Sequence, residues 1–423
     1  MLEKPKLFLN RKEFWFILSF LFLLLFIRLF FLHQEYETFK SKSFYYTEAK
    51  VSQAYEKWNG NEYHTILKLY SPRLKMNFFS RTKIRAYDIT EKIRLKLFPS
   101  KEMNFLDYLG TPFIHSKINE IYEHQVNSND KLFTFVEEQH SNVLITNFYK
   151  AIFFARPLEK DLRAKVSSLG VSHLIALSGF HLAILSALLF FLLRLIYRPL
   201  QQKFFPYRFD LFDIGFIVLI LLAGYVWFVD SPPSLLRSYA MMLVAWTLLV
   251  FGMELLSFSF LGIIVLLLLI LFPKMLLSLA FWFSVIGVFY IFLLLHYFSG
   301  LNKYLITLLI SFGIFVLMLP IVHMIFPLTS PLQLTSPLLS LLFSAFYPLS
   351  MVLHSIHLGG IFDNYLLQLF SLKSEERLFL MQVELGVLYL FLSFLAIYSK
   401  WIFYLLSLFA FGFFVWLFSG FWV

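Results

Sequence analysis

The sequence predicts a polytopic α-helical membrane protein of about ten membrane segments, with a small extramembrane β-barrel domain near its N-terminus. Three observations predict it. Of 423 residues, 59% are hydrophobic and only 15% charged, more apolar than an ordinary soluble domain. Several apolar runs approach or pass the ~20 residues needed to cross a bilayer. One polar stretch of about 130 residues separates the first run from the rest.

The first run, Phe14 to Leu32, is longer than the apolar region of a signal peptide and is followed by His33, Gln34 and Glu35 instead of a small-residue cleavage site. Residues 1–33 therefore read as a retained anchor. Lys4, Lys6, Arg11 and Lys12 precede it, which places the N-terminus in the cytoplasm. The polar stretch then faces outward, into the periplasm of a Gram-negative cell.

Within that stretch, FYYTEAKVSQAYEKW (44–58) and EYHTILKLY (62–70) flank Asn59-Gly60, a strong hairpin signal. KMNFF (75–79) and KIRLKLF (92–98) read as further strands. Short strands packed this closely suggest a small antiparallel barrel over residues 34–101, the OB-fold being one candidate. Residues 102–165 read as a largely helical connection, because KINEIYEHQV (117–126) and the region after Asn142 space apolar residues helically.

Residues 166–423 form the membrane domain. About nine apolar segments are expected there, at 173–195, 211–229, 234–252, 257–272, 276–297, 304–326, 338–358, 378–398 and 401–422. Arg194, Arg198, Lys203 and Arg208 mark the loop 196–210 as cytoplasmic, and Lys303 and the Lys373/Arg377 pair also fall on cytoplasmic loops. Lys274 and Lys400 fall on the opposite side of this topology.

Three constellations could carry chemistry. VSHLIALSGFHLAIL (171–185) places His173, Ser178, Gly179 and His181 in an apolar run. Polar groups at membrane depth are expensive and either pack helices or do work. Ser172 reads as the N-cap of a helix on which Ser178 and His181, three apart, share a face. Gly179 would admit a neighbouring backbone. Helix packing, a polar path and hydrolysis by a Ser178–His181 pair are the readings. The third lacks an orienting carboxylate and a nucleophile elbow, and zinc would want ligands that are not nearby.

The second is DSPPSLLRSYAMM (230–242), an external turn followed by a helix with Pro at its first position. Arg237, one turn in, either snorkels to the surface or faces a water-filled interior where it could meet a phosphate. The third runs from Leu67 to Lys101. Its cations include Lys68, Arg73, Lys75, Arg81, Lys83, Arg85, Lys92, Arg94 and Lys96, against only two acids, Asp88 and Glu91; Tyr70, Phe78, Phe79, Tyr87 and Phe98 interleave. Cations that track a backbone, with rings that stack on bases, suit single-stranded nucleic acid. A face that hugs anionic lipid is the other reading.

The net charge is +10, from 36 Lys+Arg against 26 Asp+Glu, which fits either positive-inside loops or a polyanion partner. No cysteine is present, so disulfides, thiolate metal sites and a Cys nucleophile are excluded. No phosphate-binding P-loop occurs. Glu384, His323, His354 and His357 lie in or near apolar segments. Together these point to a protein that is not an enzyme and needs no cofactor or metal. With Arg237 and Glu384 as coupling groups, a secondary transporter for a small anionic solute is the alternative.

GVSHLIALSGFHLAIL, beginning at Gly170, closely resembles the signature of the ComEC family of DNA-uptake proteins, of the form G-x-S-H-L-L-A-I-S-G-L-H. His173, Ser178, Gly179 and His181 fall on matching positions. SPPSLLRSYAMM is similar to the family's S-P-S-x-x-R-A-x-x-M segment through Ser234 and Arg237. FWFSVIGV (281–288) resembles F-Q-L-S-F-x-A-V, keeping Phe281 and Ser284 but replacing Gln by Trp282. The resemblance spans residues 165 to about 360.

It implies an inner-membrane channel that passes single-stranded DNA into the cytoplasm during natural transformation. His173, Ser178, Gly179 and His181 would shape the channel, and Ser234, Arg237 and Ser284 would be phosphate or pore contacts. Longer members end in a metallo-β-lactamase-like domain, and no H-x-H-x-D-H motif occurs here. A separate nuclease, a periplasmic DNA receptor and a cytoplasmic motor or helicase are then the expected partners, besides the bilayer and the DNA. The channel could lie within one subunit or in a homo-oligomer.

Overall fold

The computed structural model describes residues 10–58, 62–86, 89, 91–122, 128–175, 177–229, 231–251 and 257–421. They group into a sheet unit, drawn from residues 8–128 and 262–281, and a helical unit, drawn from residues 129–261 and 282–423.

The sheet unit opens with α1 (Arg11–Ser41), which continues well past the expected end at Leu32. Its 31 residues span about 46 Å, against ~30 Å of bilayer hydrocarbon. The excess is amphipathic. Leu32, Tyr36 and Phe39 are buried in the core of the sheet, the Tyr36 hydroxyl donates to the Met103 carbonyl at 2.6 Å, and Phe39 stacks on Tyr45 at 5.0 Å.

Strands β1 (Tyr45–Trp58), β2 (Tyr63–Ser71), β3 (Met76–Thr82) and β4 (Lys92–Phe98) lie where the sequence expects them. The Asn-Gly turn at 59–60 lies outside the described residues. After α2 (Phe105–Leu109) comes β5 (His115–Ile121). The sheet order is β3-β2-β1-β4-β5, every neighbouring pair antiparallel. Period-two alternation sends Leu67, Leu69, Phe78, Ile93, Leu95 and Leu97 inward. β3 also meets the chain entering β5, through Phe79 N–H to the Pro112 carbonyl and Ile114 N–H to the Phe79 carbonyl, both 2.8 Å.

β5 corrects the sequence reading, which took 117–126 as helix. Ile118 and Ile121 are three apart, a helical spacing, yet they pair with Leu95 and Ile93, which are two apart. A β-bulge supplies the extra residue, and the false period comes from it. Helices do follow from Ser128 onward.

Lys274 belongs to this unit. It lies on the 3₁₀ turn Pro273–Leu277, donates to the Lys75 carbonyl at 2.8 Å and sits 5.2 Å above the Tyr108 ring. Burial pushes its ammonium down to about 8. Below that pH the lysine is charged in the folded and unfolded chains alike, and burial penalises the fold. The penalty fades as pH rises from 8 toward the unfolded value of about 10.4. The thermal midpoint of the wild type should therefore gain on that of Lys274→Met between pH 8 and pH 10; parallel curves would refute it.

The helical unit contains α3 (Ser128–Glu137), α4 (Val143–Phe154), α5 (Lys160–Ser168), α6 (Ser172–Ile175), α7 (Gly179–Phe204), α8 (Asp210–Phe228) and α9 (Pro233–Val250). The chain continues with α10 (Phe258–Leu271), most of which groups with the sheet unit, and then α11 (Leu279–Phe298), α12 (Lys303–His323), α13 (Ser336–Ser355), α14 (Asp363–Ser371), α15 (Val383–Leu395) and α16 (Lys400–Ser419). A two-stranded ladder pairs β6 (Leu328–Thr329) with β7 (Arg377–Leu378).

Among the described residues, seven helices are long and apolar enough to cross a membrane: α1, α7, α8, α11, α12, the stretch Pro331–Ser355 containing α13, and α16. Three expected segments are shorter helices, α9, α10 and α15. At 13 to 18 residues they reach roughly 20–27 Å, less than the ~30 Å core. Ile214, Val218, Leu222 and Val226 of α8 recur every fourth residue and share a buried cluster with Leu182 and Leu185 of α7, as ridge-into-groove packing requires.

Candidate functional site

The predicted segment 173–195 is not one helix. α6 ends after a single turn at Ile175, and α7 begins at Gly179. Ser172, expected as the N-cap, is the first residue of α6; the side chain that caps is Ser178. Its hydroxyl accepts from Phe180 N–H at 3.3 Å, and His181 Nδ1 accepts from Ser178 N–H at 3.3 Å. This is a capping box with histidine at the position usually held by Glu or Gln. Because Nδ1 accepts, the neutral ring carries its proton on Nε2. His181 is fully buried, edge-on to Phe343 and Tyr347.

The rest of the motif is held between α13 and α9. Gly170, at φ 68°, ends α5. Val171 N–H reaches back to the Val166 carbonyl at 3.1 Å, the long bond of a Schellman motif. A Cβ on Gly170 would also approach Gln333 within 3.1 Å, so glycine is required twice over. The Ser336 hydroxyl of α13 donates to the Gly170 carbonyl at 3.0 Å, and Ser340 lies 3.3 Å from His173 Nε2. His173 is exposed whereas His181 is not, and the break separates them, so they share no helix face.

From α9, the Ser234 hydroxyl donates to the Leu177 carbonyl at 2.8 Å, satisfying the backbone where the helix breaks. Ser238 lies 3.1 Å from where a Gly179 Cβ would be, which explains the glycine. Arg237, between them on α9, is 5% exposed. It is buried and does not snorkel to an exposed surface. Ser284 lies half-buried on α11, and among the described residues no hydrogen bond joins it to this group. Asp230 lies outside the described residues. Glu384 is exposed in the first turn of α15, and His323 is a satisfied core histidine bonded to Leu319 and Thr329.

The break places the positive dipole end of α7 within an apolar unit, with its first N–H groups already capped by Ser178. Ser234 and Ser238 of α9 lie at the break, and the buried Arg237 is on the same helix. Such a group can bind an anion such as phosphate.

The basic run sorts into two sets. Lys83, Arg85, Lys92 and Arg94 pair with Glu62, Glu56, Glu48 and Glu120 at 3.1, 3.2, 2.7 and 3.8 Å. The Lys92 ammonium, helped by the Tyr122 hydroxyl, holds Glu48 below the ordinary carboxylate range. Among the described residues no carboxylate pairs with Lys68, Arg73, Lys75, Arg81 or Lys96. Tyr87 and Asp88 lie outside the described residues.

Two residues escaped the sequence reading. Phe44 and Tyr46 pack edge-to-face at 5.5 Å, and with Phe98 they surround Lys96, whose Nζ lies 3.8, 5.5 and 5.4 Å from the Phe44, Tyr46 and Phe98 rings. The register Tyr46↔Lys96 builds this cluster. All three rings are exposed. Beside them Arg73 donates to the Tyr46 carbonyl at 2.9 Å and, with Tyr46, Glu48 and Arg94, lines a cleft of about 400 Å³. The available signal was the i, i+2 pairing of Phe44 with Tyr46 and of Lys96 with Phe98, both on outward-facing positions. Among the described residues no cluster of three or more His, Asp or Glu could hold a metal.

No curated protein and no solved structure was found to match this chain. The family model described as Competence protein does match, over residues 155–423. That range holds the broken helix, the α9 serines and Arg237, and covers well over half of the sequence. The chain is a multi-pass membrane protein with a role in DNA uptake, and it belongs to the ComEC family of competence proteins.

Proposed function

We propose that this protein is the inner-membrane channel through which single-stranded DNA enters the cytoplasm during natural transformation. The N-terminus lies in the cytoplasm and the sheet unit faces the periplasm. The observation that carries the reading is the interrupted helix at Ser178–Gly179, with Ser234 and Ser238 packed on it and the buried Arg237 beside them on α9, inside a competence-family unit. The dipole end of a helix and a guanidinium suit a phosphate backbone, and a strand in transit needs contacts that read no sequence.

The sheet unit supports the same reading. Its five strands, with β3 touching the entry to β5, fit a partly open barrel of OB type, and Tyr46, Phe98, Lys96 and Arg73 supply rings and cations for a single strand. No chemical step is required of the chain, so strand degradation, capture and pulling fall to a separate nuclease, a periplasmic receptor and a cytoplasmic motor. An interrupted helix also marks secondary transporters, which keeps the small-anion reading as the competitor, although an exposed Glu384 makes a poor buried coupling group.

The deciding experiment deletes the gene in a transformable host, supplies fluorescent DNA and images periplasm and cytoplasm. The strain is complemented with wild type or Arg237→Ala, each checked for membrane insertion. DNA stranded in the periplasm and rescued only by wild type is the expected result. Normal entry without the protein would refute the channel and leave the transporter.

A further inference from the structure

A second buried polar group lies elsewhere in the helical unit, where the α3–α4 loop meets the end of α13 and the start of α14. The His140 side chain is fully buried, and its Nδ1 lies 3.0 Å from both oxygens of Asp363. Its Nε2 lies 2.9 Å from His354 Nε2. His354 Nδ1 is 2.6 Å from the Ser350 carbonyl. The ring of Tyr149 stacks flat on His140 at 4.5 Å and meets His354 edge-on.

These contacts fix the proton count. A carbonyl can only accept, so His354 Nδ1 carries a hydrogen, and a neutral His354 then has a bare Nε2. If Asp363 is ionised, His140 Nδ1 must donate to it, and a neutral His140 has a bare Nε2 as well. Two lone pairs cannot face each other at 2.9 Å, so one proton sits between the rings. One histidine is then an imidazolium, neutralised by the carboxylate. Two features favour the ionised acid over a protonated one. Its oxygens are equidistant from Nδ1, and it occupies the first turn of α14, where the helix dipole favours negative charge.

We infer that His140, His354 and Asp363 form a one-proton site that latches the α3–α4 hairpin to α13 and α14. Removing the proton sets two bare nitrogens against each other, and adding one either neutralises Asp363 and removes the ion pair or sets two N–H groups against each other. Beside it Gln139 makes the proton-independent half of the latch, donating to the His354 carbonyl at 3.2 Å and accepting from Gly359 N–H at 2.9 Å. The groups facing the site are Tyr149 from α4, His354 from α13 and Asp363 from α14. Glu137 and Lys150 pair with each other, and His357 packs on Phe135. The site does not rest on the transport reading, but α13 links them, since Ser336, Ser340, Phe343 and Tyr347 of that helix contact the motif at 170–181.

The test is nitrogen NMR of the full chain in lipid, labelled with 15N on the histidine rings, at pH 8. A histidine of ordinary pKa is only about 3% charged there. The wild type should show one persistent imidazolium and a correlation joining two histidine nitrogens through a shared hydrogen. Asp363→Asn, which keeps the shape but removes the charge, should abolish the imidazolium, and His140→Gln or His354→Gln should abolish the correlation. A wild-type spectrum without that correlation, or an imidazolium that survives in Asp363→Asn, overturns the proposal.

Discussion

His181→Ala should destabilise the purified chain by about 2–4 kcal/mol, whereas His181→Gln should recover at least half of that loss. Alanine removes the acceptor for Ser178 N–H, which at a helix cap costs ~0.5–2 kcal/mol. It also leaves a void against Phe343 and Tyr347, which adds a cavity penalty. Glutamine is a normal occupant of the third position of a capping box and restores the bond, though not the ring contacts. Thermal unfolding in detergent, followed by near-UV circular dichroism, reads the difference. If glutamine is no better than alanine, the imidazole acts through packing alone and the capping account is wrong. If stability returns and DNA entry does not, the ring has a part in passage beyond capping.

Tyr46→Ala in the full chain should weaken binding of oligo-dT by roughly 5- to 100-fold, because one lost base–ring stack is worth about 1–3 kcal/mol. Arg85→Gln should change it by less than about twofold, since that guanidinium is already paired with Glu56 and lies over the Tyr63 ring. Arg73→Gln should fall between the two and lower the salt dependence, as expected when one phosphate contact is lost. Fluorescence anisotropy at two salt concentrations distinguishes these cases. Equal losses from Tyr46, Arg85 and Arg73 would mean that diffuse charge binds the strand and that the aromatic cluster has no special place. No loss from any of them would free this face for anionic lipid.

Much of this fold was legible because its elements follow simple periods. Strands β1 to β4 alternate, and the long apolar helices announce themselves by composition. β5 was misread because a bulge turns a two-residue period into three. The helix break was hidden for a different reason. Ala, Leu and Ile run through it without a proline, and the backbone parts there because Ser178 and His181 cap a new helix and Ser234, fifty-seven residues away in sequence, bonds the Leu177 carbonyl. Motif residues could be named from local pattern, but not the partners that tertiary structure brings to them. The same holds for His140 and Asp363, which are unremarkable in sequence and separated by more than two hundred positions. Lys96 was counted among the cations of the basic run but not as the centre of a ring cluster, because Phe44 and Tyr46 reach it from the neighbouring chain segment.

The continuity of α1 has a mechanical meaning. No hinge, glycine or proline interrupts it between Arg11 and Ser41, and its last turns are embedded in the core of the sheet. The sheet therefore cannot swivel about its own anchor as a tethered module would. A tug on anything gripped by the sheet becomes a torque on a single stiff rod, and the orientation of that domain is set by how far the rod leans in the bilayer. Two or three glycines inserted between Leu32 and Tyr36 would turn the lever into a tether, at the cost of the Leu32 contact, while leaving the outer face of the sheet intact.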